Sequence, residues 1–174
     1  MKHLCLGLFI IMSNYCFSDT SSREKLIYIM PEFRGPELVE QCTRSVYEPE
    51  SFWRVTSEQI TIIEKKLQQH LDQLKQQKAE FIPEPLIQYK RQYIGFELNG
   101  QSYIYGNFFP KEANLENDPT RFAIVSCRGD KRYWGMLFNI DQYAFAAIER
   151  NDKLVKPPGA LDPKDFISAP PERD

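Results

Sequence analysis

From residue 60 onward the apolar positions recur at steps of three and four. Ile60, Ile63, Leu67, Leu71 and Leu74 fall within about 80° of one another on a helical wheel. The spacing predicts a helix over 56–78 with one apolar stripe that must face another element. Its start is marked by Thr56 and Gln59, a capping-box pair, and by Val55 and Ile60 at the positions of a hydrophobic staple. Lys65, Lys66, Gln68, Gln69, Gln73 and Lys75 keep the other side wet, with Ile62 as a single apolar exception.

Beyond a connector at 81–92 carrying Pro83 and Pro85, the period changes from 3.6 to 2. Two strands, 91–98 and 101–109, flank Asn99-Gly100, the pair that supplies the positive φ angles of a type I′ turn. A two-residue loop sets the register: Leu98 opposite Gln101, Phe96 opposite Tyr103, Ile94 opposite Tyr105. That apolar face is the one expected to receive the helix. The reverse face holds Tyr93, Gly95, Glu97, Ser102, Ile104 and Gly106, with Tyr93 opposite Gly106, where the ring shields a strand glycine.

After Pro110 and a polar loop at 111–120, strands are predicted at 122–127, 133–138 and 143–148. Arg128-Gly129-Asp130-Lys131 turns the first pair, so Val125 faces Trp134 and Ser126 faces Tyr133. Ahead of the helix, 19–52 reads as an arm with an apolar run at 26–30 and a short helix at 36–42 that begins on Pro36. Residues 151–174 carry five prolines and read as an extended tail. The predicted class is α+β: one long helix across a four- to five-stranded antiparallel sheet, forming a single domain over 19–150.

The chain has 174 residues, 42% hydrophobic, 13% aromatic and 26% charged, a globular composition. Its formal charge of −2 and lack of a basic run argue against nucleic acid as a partner. Residues 1–18 change the picture more. Lys2 and His3 precede an apolar block at 4–12 and a polar segment at 13–18, the layout of a secretory signal peptide. Nine apolar residues are too few to span a bilayer, so no stable membrane span is expected. Lipidation at Cys16 is the alternative at this end, although Ser13-Asn14-Tyr15 lacks the Leu and small residues that usually precede such a site.

Cleavage after Ser18 removes one basic residue and leaves Cys42, Cys127 and His70 as the mature cysteines and histidine. In an oxidising compartment the two cysteines are expected to pair. The competing reading, a Cys nucleophile served by His70, needs a reduced thiol. A structural, half-buried role at the border of the helix stripe suits His70 better.

Phe52-Trp53 with Thr56, the run 89–95, Tyr103-Ile104-Tyr105-Gly106-Asn107-Phe108 and Tyr133-Trp134-Gly135 resemble a group of small exported bacterial proteins. The order of helix and sheet is similar to the cystatin-like layout. The resemblance covers 36–150 and implies no catalytic residues.

The residues themselves offer little catalytic chemistry. No nucleophile elbow, phosphate-cradling loop or metal-ligand spacing is present, so neither a cofactor nor a metal is expected. Glu97 and Asp130, near strand ends, are the carboxylates that would serve an acid–base site. Tyr93, Phe108, Tyr133 and Trp134 are the candidate binding anchors. Tyr93 and Phe108 lie on the strand face the helix leaves open, with the set of either Tyr133 or Trp134 beside them. The alternative is that the arm and the tail cover that face. The sequence therefore predicts a periplasmic or secreted binding protein with a protein partner in the cell envelope, an inhibitor or immunity protein. A small envelope hydrolase with a carboxylate site is the alternative.

Overall fold

The computed structural model describes residues 26–45, 47–79, 81–127, 130–151 and 153–155. The predicted signal peptide, the lipidation alternative at Cys16 and the tail beyond residue 155 lie outside the described residues.

The chain is α+β, built on a mixed seven-stranded sheet. β1 (Ile27–Ile29) leads through a 3-10 turn, Glu32–Arg34, into α1 (Gly35–Val39), and β2 (Ser51–Trp53) precedes α2 (Ser57–Gln76). A second 3-10 turn, Leu86–Gln88, enters β3 (Tyr89–Leu98), followed by β4 (Gln101–Pro110), β5 (Trp134–Asn139), β6 (Ala144–Arg150) and β7 (Lys153–Val155). The strand order is β1-β3-β4-β5-β6-β7, with β2 sharing the outer edge of β3 beside β1. All pairs are antiparallel except β1 with β3. The sheet is thus wider than the four or five antiparallel strands expected, and part of the expected tail, Lys153–Val155, is its last strand.

The hairpin has the expected register, Leu98↔Gln101 through Tyr93↔Gly106. Asn99 (φ 53°) and Gly100 (φ 69°) form its turn. The Thr56 hydroxyl accepts from the Gln59 amide, and the Gln59 side chain accepts from the Thr56 amide, so the capping box closes α2.

Two expectations change. First, α2 lies on the opposite face of the sheet from the one anticipated. Its stripe, Ile60 to Leu74, packs with Tyr89, Tyr93, Ile104, Phe108, Trp134 and Met136. The Ile94–Phe96–Leu98 face is covered instead by the arm (Met30, Leu38, Val39, Phe52) and by Leu115 and Ile124 of the β4–β5 connection. Both faces are apolar, and alternation alone does not say which takes the helix. Glu64 on α2 does: its carboxylate receives Arg91 Nε at 2.7 Å, Arg91 Nη2 at 2.6 Å and the Tyr93 hydroxyl at 2.5 Å. Arg91 and Tyr93 alternate with Gln92, so this clamp selects their face.

Second, 122–127 is not a strand of the sheet. It crosses over the second face, so the predicted pairings of Val125 with Trp134 and Ser126 with Tyr133 do not form. Trp134 pairs with Phe108 and Arg150.

Candidate functional site

Tyr93, Phe108 and Trp134 are each 0% exposed. The structure brings them together, with the Phe108 and Trp134 rings stacked at 3.7 Å and Tyr93 edge-on to Phe108 at 5.9 Å. They form core beneath α2. Burial removes them as anchors for a partner, because no part of these rings reaches the surface. Tyr133 stands apart from them, partly buried and packed against the hydrophobic cluster on the other face.

That other face carries a polar row across an otherwise apolar surface. Register places Gln92, Asn107, Gly135 and Glu149 side by side on four successive strands. Gly135 leaves the gap. A Cβ there would meet Arg44 Nη1 at 2.8 Å and the Tyr105 hydroxyl oxygen at 2.9 Å. Arg44, 7% exposed, fills the space from the arm and donates to Tyr105, Asn107 and Asn151 at 2.8–2.9 Å. Glu149 accepts from the Ser45 amide and the Tyr47 hydroxyl. Burial, then the neighbouring Glu149 charge, pushes the Tyr47 pKa well up.

The same row holds down the 119–127 segment, side chains replacing a strand ladder. Gln92 donates to the carbonyls of Pro119 and Phe122 and accepts from the Ile124 amide. Asn107 and Gln41 donate to the Ile124 carbonyl, and Asn151 to the Ser126 carbonyl. Next to it, Cys42 and Cys127 form the expected disulfide. Both cysteines are exposed, so the bond ties the arm to this segment from outside, whereas the short helix was expected to carry Cys42 inward. With both sulfurs bonded, the nucleophilic-cysteine reading has no thiol to use. His70 is half-buried against Phe145 at 5.6 Å, its pKa lowered by burial.

The segment borders a groove of ≈ 370 Å³ lined by 114–117, 123–127 and Tyr133. Glu116 is the charged residue of this lining. Burial, then the charges of Asp130 and Glu112 against that of Arg132, leaves the Tyr133 pKa raised. Beside the groove, the Arg34 guanidinium sits 5.4 Å from the Phe33 ring and 4.8 Å from the Phe122 ring. These rings are 73% and 40% exposed. Arg34 is also bonded to Glu37 at 2.7 Å, so its charge is already partnered.

Glu97 and Asp130 are not brought together. Glu97 lies at the hairpin-turn end of β3, bonded to Ser102, and Asp130 lies before β5, bonded to Arg132. The sheet's length, about 20 Å along β3, separates them. Among the described residues, no three His, Cys, Asp or Glu side chains group as metal ligands, and no helix is long and apolar enough to cross a membrane.

The sequence reading missed the polar row. One signal was available, since Gln92 and Asn107 oppose each other in the predictable register on an apolar face. Arg44 and Asn151 carry no such signal, being 107 residues apart. No family model matches the chain, and neither curated proteins nor solved structures give a match.

Proposed function

We propose that the protein is an exported binding protein that engages a protein of the cell envelope, as an inhibitor or immunity protein does, without a catalytic step. The observation that carries this reading is the exposed Phe33–Arg34–Phe122 patch beside the groove, on a covering layer fixed by a disulfide. Exposed rings gathered around a cation offer large apolar contact area beside a charge, the character of interface hot spots. The disulfide supports an oxidising compartment.

The test is retention of a partner from an envelope extract by tagged protein. Phe33→Ala and Phe122→Ala should each lower retention tenfold or more at unchanged melting temperature. Retention indifferent to both changes, or no retained protein at all, overturns the proposal.

A further inference from the structure

We propose that the outer edge of 123–127 is a docking site for an extended polypeptide segment of another protein, which adds to it as a β-strand within the groove. The inference rests on the binding reading above and names the site and the chemistry of the partner.

Backbone groups specify the occupant. In an extended chain the N–H and C=O of successive residues point to opposite sides. The Phe122 carbonyl, both backbone groups of Ile124 and the Ser126 carbonyl are taken by side chains of the polar row. The intervening residues, Ala123 and Val125, have no backbone partner among the described residues. An extended run whose residues 122, 124 and 126 bond to the row turns the N–H and C=O groups of 123 and 125 away from it, and both residues line the groove with 114–117. Repeating donors and acceptors at a two-residue spacing match one ligand chemistry, the backbone of another extended chain.

Nothing in the local sequence blocks such pairing. Edges are ordinarily guarded by proline or by charge, and Ala123-Ile124-Val125-Ser126-Cys127 has neither. The segment is also held without a ladder, so it keeps a free edge although the sheet beneath it is complete. Val125, 43% exposed, offers an apolar contact for an alternate side chain of the incoming strand. Charge narrows the partner further. Glu116 is the charged side chain that lines the groove, which favours a segment carrying Lys or Arg.

The probe is an acetylated, amidated hexapeptide, Thr-Val-Lys-Val-Thr-Val, set against a twin methylated at alternate backbone nitrogens. Titration into the disulfide-intact protein should shift the Ala123 and Val125 amide resonances saturably and slow their hydrogen exchange. The methylated twin should bind at least tenfold more weakly. Val125→Pro removes an outward N–H that bonds nothing within the described chain, and should weaken the peptide tenfold or more. Should that variant fail to fold, Val125→Lys, which sets a cation beside Glu116 and against the peptide's Lys, should weaken the Lys peptide similarly.

Equal binding of the two peptides, resonance shifts confined to other surfaces, or no saturable binding at millimolar peptide overturns the proposal. A dimer of the free protein that Val125→Pro abolishes also overturns it, since the edge then serves a second copy. Envelope-partner retention that falls with Phe33→Ala but is indifferent to Val125→Pro refutes the edge and leaves the binding reading standing.

Discussion

Arg44 shows how one nearly buried side chain organises a surface. Its guanidinium fills the gap above Gly135 and satisfies Tyr105, Asn107 and Asn151 together. Removing the guanidinium leaves three buried neutral acceptors without their donor, at about 1–3 kcal/mol each and about 3–5 kcal/mol together. Arg44→Ala should therefore lower unfolding free energy by about that amount in urea titration; a loss under 1 kcal/mol would show that the row is hydrated. His70 gives a different single-residue prediction. Burial lowers its folded-state pKa below the ordinary 6.5, so the unfolded chain binds the proton first. Stability from this site is full above about pH 6.5 and falls as pH drops through the gap between the two values. His70→Leu should flatten that part of the pH–stability curve, measured by thermal unfolding in steps from pH 7.5 to 4.5.

At the level of elements, what was legible followed from local chemistry. Thr56, Gln59 and the Ile60–Leu74 period define α2, and Asn99-Gly100 defines the hairpin and its register. Thr56→Ala removes an acceptor from the Gln59 amide and should cost about 1 kcal/mol, checked by chemical denaturation. What was not legible depended on long-range choices between equivalent local options. Tyr93 and Ile104 share one face, Ile94 and Tyr105 the other, and either set suits a helix. The Glu64 clamp on Arg91 and Tyr93 decides, and it joins residues 27 and 29 positions apart. The 122–127 segment misleads for a related reason. It has strand composition, yet its hydrogen-bond partners are the side-chain amides of Gln92, Asn107 and Asn151, which no periodicity reveals. The aromatic anchors failed with the face assignment: Tyr93, Phe108 and Trp134 lie on the side α2 covers.

In the whole molecule the sheet is a middle layer, with α2 on one side and, on the other, the short α1 among irregular chain. The helical side is self-supporting, since its stripe, cap and clamp are built into α2 and β3. The irregular side is assembled from two segments far apart in sequence, the arm and 111–127, whose covalent tie is the Cys42–Cys127 bond across 85 residues. A loop of that length stabilises by about 4–5 kcal/mol in the chain-entropy model. The stabilisation acts globally, but the loosening after its loss should be local. Cys42→Ser should lower unfolding free energy by about 2–5 kcal/mol, and Cys127→Ser by a similar amount. Native-state hydrogen exchange should then rise first at Ile124, whose amide is held by Gln92, while amides in the middle of α2 keep exchange set by global unfolding. Equal acceleration on both sides of the sheet would mean that the two layers unfold as one unit. If the covering layer loosens first, the disulfide's role is to hold the proposed binding surface in shape, and either variant should lose partner retention at temperatures where α2 is still intact.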